Sequence, residues 1–167
     1  MLKSVTGEDG MEHRIHFTQR EHQNTVQSHL LVPVSLNGRS TLPFSVEPSR
    51  SRTLVSARTI ETMGLSLDDS LSTLTISEKL AYPLLRLDSL AVGSAVLNNF
   101  EVVVWGSPVI LPEMLANLDA DKLYHLGNHP ASAIEAIVEC RGVLGADFLR
   151  NFTVSLDFMS ETLVLEG

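Results

Sequence analysis

The segment around Asn37 is the feature that most constrains the fold of this chain. Two apolar runs, residues 30–36 and 42–46, lie on either side of the dipeptide Asn37-Gly38. Asparagine and glycine readily adopt the positive φ angles that a tight hairpin turn needs. The pattern therefore predicts two antiparallel strands that are joined at this dipeptide.

Short strand patterns recur along most of the chain. Apolar and polar residues alternate in residues 12–18 and again in "TVSLDF", and apolar or β-branched residues dominate "LSTLTI", "LLRLDSLAVG" and "AVLNNFEVVVW". One short helix is indicated after the hairpin, because Ser56 can cap its start and Gly64 stands where a left-handed residue would end it. Many short strands with few helices predict a mostly-β, barrel-like domain.

The chain is expected to form one domain. A single core suffices for chains of up to about 200 residues, and 44% of these 167 residues are hydrophobic. Residues 1–11 are polar and predict a flexible N-terminus, which leaves residues 12–167 for the domain. Residues 106–141 differ from the rest, because Pro112 and Pro130 each begin a stretch with apolar residues at helical spacing. We expect this segment to be a helical insertion.

Charge and composition argue against several functions. A formal net charge of −8 argues against nucleic acid as a partner, because phosphate backbones are bound by clustered lysine and arginine. The N-terminus lacks the apolar region of a signal peptide, and no run reaches the ~18 apolar residues that a membrane span needs. The single cysteine, Cys140, excludes an internal disulfide and a multi-cysteine zinc site. These features predict a protein of the cytoplasm or another reducing compartment.

The histidines do not suggest a metal site. His125 and His129 are four residues apart, but the glycine and asparagine between them are expected to end any helix there. His13 and His16 fall on opposite faces of a predicted strand, and both are expected to be exposed. We expect neither a metal ion nor a cofactor.

Separated segments of the chain resemble one protein family. "VSLNGRSTLPFSVEPSRSRTLVS" resembles the region of retropepsin-like aspartic proteases in which a strand, an Asn-Gly turn and a second strand lead to the catalytic loop Asp-Thr-Gly-Ala-Ser. "GVLGADFLRNFTVSLDFMSETLVL" is similar to the closing segment of that family, which has two apolar residues and a glycine, a short helix and a terminal hairpin. "LLRLDSLAVGSAVLNNFEVVVW" is similar to the middle strands of its cellular and bacterial members. The resemblance covers residues 28–105 and 142–166.

This resemblance implies both a fold and an assembly. The family's fold is a small closed β-barrel, a single lobe of the acid-protease fold, and its active site forms when two copies each contribute one aspartate. The chain has one such loop, so the resemblance implies a homodimer. It predicts a retropepsin-like closed β-barrel with short helices and a helical insertion.

The catalytic loop of the family is altered in this chain. Glu47 stands at the position of the aspartate on a stem one methylene longer, and Pro48 replaces the threonine whose hydroxyl and amide support the catalytic pair. Ser49 and Arg50 replace the glycine and alanine that follow, and only Ser51 matches. Aspartic proteolysis needs two carboxylates that share a proton, whereas a neighbouring cation favours the charged form of a carboxylate. We therefore expect Glu47 to be a degenerate equivalent of the catalytic aspartate.

Three functional hypotheses are open at this stage. The first is a catalytically degenerate domain that serves as a dimerisation, peptide-binding or structural subunit, either as a homodimer or within a larger assembly. Here Glu47 either forms a surface ion pair with Arg50 or Arg52, or contributes to a contact with a peptide or protein partner. The second is an active aspartic endopeptidase that uses Glu47 in a homodimeric site. The third is a β-rich module that shares only the fold of the family.

Candidate binding residues lie in the altered loop and in the segment "ISEKLAYP". This segment corresponds to the flap, a hairpin that active members close over the substrate, and it lacks their glycine tip. The groove could still hold an extended chain by strand addition, and the insertion at 106–141 would add a partner surface. Asp147 is expected to cap or pair locally, not to catalyse. The candidate groove and flap residues are Ser49, Arg50, Ser51, Arg52, Ile76, Ser77, Glu78 and Lys79.

Overall fold

The fold is built mainly from short strands. A computed structural model of the chain describes residues 10–21, 28–39, 41–65, 72–77, 80–105 and 141–167, which contain eleven strands and two helices. The strands are β1 (Glu12–His16), β2 (Thr18–Glu21), β3 (Ser28–Leu36), β4 (Thr41–Val46), β5 (Leu54–Ser56), β6 (Ser72–Ser77), β7 (Leu80–Val92), β8 (Ala95–Trp105), β9 (Gly142–Leu144), β10 (Thr153–Asp157) and β11 (Thr162–Glu166). The helices are α1 (Ala57–Thr62) and α2 (Ala146–Leu149).

The hairpin predicted around Asn37 is confirmed. Strands β3 and β4 pair antiparallel, and Asn37 and Gly38 have φ angles of 53° and 66°. The Arg39 amide closes the turn by donating to the Leu36 carbonyl at 3.0 Å. The Asn37 side chain accepts a hydrogen bond from the Ser89 amide at 3.2 Å, which fixes the turn to β7.

Six strands close into a barrel in the order β3-β4-β9-β5-β8-β7. Strand β7 pairs again with β3, from Val34 opposite Val92 to Leu36 opposite Leu90. The β4–β9 and β5–β8 pairs are parallel, and the other pairs of the barrel are antiparallel. Strand β2 extends the sheet beyond β3, and β6 extends it beyond β7. The predicted closed β-barrel is therefore confirmed.

The barrel surrounds an apolar core that reaches into a second sheet. Phe44, Leu90 and Leu144 are completely buried in one cluster inside the barrel. The second sheet has the order β1-β11-β10, and it adds Ile15 and Leu165 to the same cluster. One continuous core thus connects the second sheet to the barrel.

Helix α1 has the predicted ends. The Ser56 hydroxyl accepts a hydrogen bond from the Thr59 amide at 3.1 Å, which caps the start of the helix. Gly64 has a φ angle of 69°, the left-handed conformation that suits a glycine after a helix.

One of the two expectations about histidine exposure was wrong. His16 is exposed as expected, but His13 is buried, with Nδ1 2.7 Å from the Ser94 hydroxyl and its ring edge-on to Phe152. The alternating segment "TVSLDF" forms a strand as predicted, and all five residues of β10 are exposed. Strand β10 is an outer strand of the second sheet and pairs only with β11 among the described residues.

Some predictions fall on other parts of the chain. The stretches after Pro112 and Pro130, His125, His129 and Cys140 lie outside the described residues, as does all of the expected insertion except Arg141. In the part of the chain that the structure describes, no helix has the length and apolar character to cross a membrane.

Candidate active site

The loop that connects β4 to β5, residues 47–53, lies at one end of the barrel and is called the candidate loop below. Its first residue continues the pairing of β4 with β9, because the Glu47 amide donates to the Leu144 carbonyl at 3.0 Å. The Arg50 amide then donates to the Glu47 carbonyl at 3.1 Å, which forms a turn, and the Arg50 carbonyl accepts from the Ala146 amide at 2.7 Å. The loop is thus held by the backbone at the end of β9 and the start of α2.

The carboxylate of Glu47 forms an ion pair with an arginine of the same loop. Arg50 Nε is 2.5 Å from Glu47 Oε2, and the two side chains are 40% and 21% exposed. A partly exposed pair of this kind contributes about 0–1 kcal/mol to stability. Its importance is chemical, since Glu47, the residue that the resemblance predicts at the catalytic position, already has a cationic partner.

A buried threonine at the end of the candidate loop connects the loop to α2 and to the residue before it. Thr53 is completely buried, and its hydroxyl donates to Asp147 Oδ1 at 2.7 Å and accepts from the Gly145 amide at 3.0 Å. The same carboxylate oxygen accepts from the Phe148 amide at 2.9 Å. Asp147 therefore pairs locally within the first turn of α2, as expected, and also accepts a hydrogen bond from a residue 94 positions earlier.

Gly145 lies directly against the backbone of the candidate loop. A β-carbon at this position would be 2.6 Å from the Arg52 carbonyl carbon and oxygen, and 2.9 Å from the Thr53 amide nitrogen. Its φ angle of −98° is open to any residue, so the requirement for glycine here is one of space. The segment Gly145–Asp147 and the end of the loop therefore form one tightly packed unit.

Arg52 points toward the barrel wall. Its guanidinium donates to Glu101 Oε1 at 2.8 Å, and its Nε is 3.7 Å from Asp147 Oδ2. Glu101 also lies 3.8 Å from the Arg86 guanidinium. This network joins the loop to β7 and β8.

The other predicted binding residues take different positions. Ser49 and Ser51 are exposed on the candidate loop, and Ile76 and Ser77 are the last residues of β6. Glu78 and Lys79 lie outside the described residues. Whether any of these residues contacts a peptide stays a prediction.

Sequence reasoning missed one residue that organises the site. This residue is Thr53, whose buried hydroxyl joins the candidate loop to α2. A threonine between a charged residue and an apolar strand carries no local signal of this role. The partners that define it, Gly145 and Asp147, are more than 90 positions away.

The chemistry open to one copy of this loop is limited. Aspartic proteolysis needs two carboxylates close enough to share a proton. Glu47 is the one carboxylate within the candidate loop, and Asp147 is engaged in hydrogen bonds behind it. Among the described residues, no group of three or more His, Cys, Asp or Glu side chains could hold a metal ion. One copy of the candidate loop therefore supplies a single carboxylate.

Comparison with known proteins points to one family. A family model described as aspartyl protease matches residues 32–148. A retropepsin-like aspartic protease from Rickettsia conorii is similar in structure, with a TM-score of 0.55 and 15% sequence identity over 93% of this chain and 90% of that one. The retroviral protease-like domain of Ddi1 from Leishmania major gives a TM-score of 0.48 and 13% identity, over 81% of this chain and 86% of that one. A search of curated protein sequences finds no match.

Proposed function

Because the chain belongs to the aspartyl protease family, we propose that it is a catalytically degenerate member that binds a peptide or protein and pairs with a second copy of itself. The proposal has two parts. The first is loss of catalysis, and the second is retention of the frame, by which we mean the contacts that hold the candidate loop in the barrel. Each part rests on different residues and has its own test.

Loss of catalysis rests on the ion pair between Glu47 and Arg50. The two carboxylates of an aspartic protease must share one proton. The Arg50 guanidinium already binds the Glu47 carboxylate, and in a dimer both copies would carry this pair in place of a carboxylate that contacts its counterpart. The longer side chain of glutamate also displaces the carboxylate from the position that an aspartate would give it. A displacement of about 1 Å in a catalytic group can reduce the reaction rate about 100-fold.

The residues next to Glu47 support the same conclusion. Pro48 has no amide hydrogen and no hydroxyl, so it cannot donate the hydrogen bonds that the family's threonine supplies beneath the catalytic pair. Ser49 and Pro48 are both exposed, and neither accepts nor donates a hydrogen bond within the described residues. The altered positions therefore cluster at the part of the loop that would face a substrate.

Retention of the frame supports a binding role. The candidate loop is fixed by contacts of Thr53, Gly145 and Asp147, and none of these contacts involves the altered positions 47–50. An extended peptide could add a strand beside the exposed serines Ser49 and Ser51 or along the end of the β6–β7 hairpin. We propose that Ile76, Ser77, Glu78 and Lys79 contact such a peptide, and that residues 106–141 add a surface for a protein partner.

The proposed loss of catalysis predicts an inactive wild-type protein. Purified protein at high concentration should leave a diverse peptide library uncleaved between pH 3 and pH 7, and Glu47→Gln should behave identically. Mass spectrometry of the library measures cleavage at every position in one experiment. Arg14→Gln serves as a matched control, since this exposed arginine pairs with Glu12 away from the candidate loop. Cleavage by the wild type that Glu47→Gln abolishes and Arg14→Gln leaves intact would refute the proposal.

The proposed homodimer rests on an exposed apolar surface as well as on the single loop. Val154 and Leu156 on β10 are 37% and 39% exposed, and Phe158 and Met159 in the following turn are 58% and 97% exposed. Contiguous apolar patches of this kind mark interaction sites, and an open strand edge favours pairing with another chain. A second copy is the occupant we propose, because the site of this family needs a second loop.

A charge on β10 should therefore dissociate the dimer. We expect the wild type to sediment as a dimer at micromolar concentration and Leu156→Glu to weaken association at least about 10-fold, a loss of about 1.4 kcal/mol. Val96→Glu is the matched control, because Val96 is 50% exposed on β8 and should tolerate the charge. Analytical ultracentrifugation over a concentration series measures both constants. A wild type that stays monomeric at the highest concentration would exclude a homodimeric site.

One observation favours the alternative, an active endopeptidase that uses Glu47. The Glu47 amide is bonded to Leu144, so its backbone is anchored in the barrel frame and not displaced into solvent. In that case the ion pair with Arg50 would have to open when two copies meet. The peptide-library experiment with Glu47→Gln separates the two functions.

A further inference from the structure

The ion pair in the candidate loop leaves most of its hydrogen-bonding capacity unused. It joins Nε of the Arg50 guanidinium to Oε2 of the Glu47 carboxylate. A guanidinium has further N–H donors besides Nε, and a carboxylate has a second acceptor oxygen. Among the described residues, neither side chain has another hydrogen bond or ion pair. Each member of the pair can therefore bind a further group of opposite charge while the bond between them stays intact.

The candidate loop holds these two groups at an accessible position. Both side chains are partly exposed, and Pro48 and Ser49 between them are exposed. The backbone is anchored on both sides of the pair, because the Glu47 amide donates to the Leu144 carbonyl and the Arg50 carbonyl accepts from the Ala146 amide. An anchored backbone loses less conformational entropy when it binds a partner. The loop therefore presents one positive and one negative group on a fixed support.

A loop with this pair of charges is complementary to a second copy of itself. In a dimer with two-fold symmetry, residue i of one copy contacts residue j of the other, and j contacts i in return. Two candidate loops that meet in this way bring Arg50 of each copy to Glu47 of the other. The four charges then alternate in sign, whereas two facing carboxylates alone would repel each other.

We propose that the altered loop joins two copies of the chain through reciprocal ion pairs, Arg50 of each copy with Glu47 of the other. This inference rests on the homodimer of the proposed function, and it gives the altered residues a role that the apolar surface of β10 does not explain. The loop would bind its counterpart where a protease carries its catalytic carboxylates. Complementary charges across an interface favour the correct partner and speed association.

Reversal of one charge tests the reciprocal contact. Glu47→Arg gives a loop with two positive charges, and Arg50→Glu gives a loop with two negative charges, so like charges meet when either variant pairs with itself. We expect each variant to self-associate at least about 10-fold more weakly than the wild type in analytical ultracentrifugation at low salt. Both changes in one chain restore opposite charges and should restore association. Added salt should weaken the wild-type dimer as well, a measurement that needs no variant.

A mixture of the two single variants separates a contact between copies from a contact within one copy. A loop with two positive charges is complementary to a loop with two negative charges, so an equimolar mixture should form a heterodimer about as stable as the wild-type dimer. Native mass spectrometry identifies this heterodimer by its mass. An ion pair that acts only within one chain predicts no such rescue, because both chains in the mixture have lost it.

Arg58→Glu and Glu61→Arg are the matched controls. Both residues are exposed on α1, they are also three positions apart, and their replacement changes the net charge by the same amounts. Both controls should dimerise as the wild type does. A wild type that is monomeric at the highest concentration would overturn this inference together with the proposed homodimer. A dimeric wild type whose single reversals dimerise equally well, or whose mixed variants form no heterodimer, would overturn this inference alone.

Discussion

Replacing Gly145 by alanine is expected to destabilise the protein by more than about 3 kcal/mol, a large part of the ~5–15 kcal/mol that stabilises a typical domain. The added β-carbon would lie 2.6 Å from the backbone of Arg52, a distance that no side-chain rearrangement relieves. Either the candidate loop or α2 would have to move. The hydrogen bonds of the Thr53 hydroxyl to Gly145 and Asp147 would then be lost as well.

Urea denaturation followed by tryptophan fluorescence measures this effect, because the single tryptophan, Trp105, is buried on β8. Gly10→Ala is the matched control. A β-carbon at Gly10 would meet its nearest atom at 3.5 Å, an ordinary contact, so this variant should change stability by no more than about 0.5 kcal/mol. If Gly145→Ala and Gly10→Ala unfold at the same urea concentration, the close contact between Gly145 and the candidate loop does not contribute to stability.

Restoring the family's catalytic loop is expected to create peptidase activity. The variant would carry Glu47→Asp, Pro48→Thr, Ser49→Gly and Arg50→Ala together. Glu47→Asp shortens the side chain that carries the carboxylate, and Pro48→Thr restores a hydroxyl and an amide as hydrogen-bond donors. Arg50→Ala removes the arginine that pairs with the carboxylate. Because the supporting contacts of Thr53, Gly145 and Asp147 remain, we expect cleavage of a peptide library at acidic pH at least about 100-fold above the wild type.

The control for this experiment carries the same changes except that Glu47→Asn replaces Glu47→Asp. It keeps the size and polarity of the restored loop but cannot form the carboxylate pair, so it should be as inactive as the wild type. Sedimentation of all three proteins shows whether each forms the dimer that the site requires. A dimeric restored variant that cleaves nothing would mean that the frame outside the loop has also lost the geometry of a protease.

The parts of the fold that could be predicted are those with local signals. The hairpin at Asn37 and the ends of α1 follow from residues within a few positions of one another, and both predictions are confirmed. The pairing of β3 with β7 closes the barrel, and no periodic pattern in the sequence indicates it. The closed barrel was therefore predicted only through the resemblance to a family.

The contacts that long-range packing determines could not be predicted. The burial of His13 depends on Ser94, 81 positions later, and the exposure of β10 depends on which strands neighbour it. The candidate loop illustrates both cases. Its altered residues could be recognised from the sequence. The hydrogen bonds of Thr53 could not, because their partners, Gly145 and Asp147, lie more than 90 positions later.

The position of β9 has a consequence for the order in which the protein can fold. Strand β9 lies between β4 and β5, although it follows them by more than 85 residues in sequence. A nascent chain that has not yet released residues 142–144 from the ribosome lacks the partner that joins these two strands and the carbonyl that anchors Glu47. Contacts of such high sequence separation form slowly. The contacts that complete the candidate loop therefore form only after residues 142–144 have been synthesised, and a product truncated before β9 would lack these contacts.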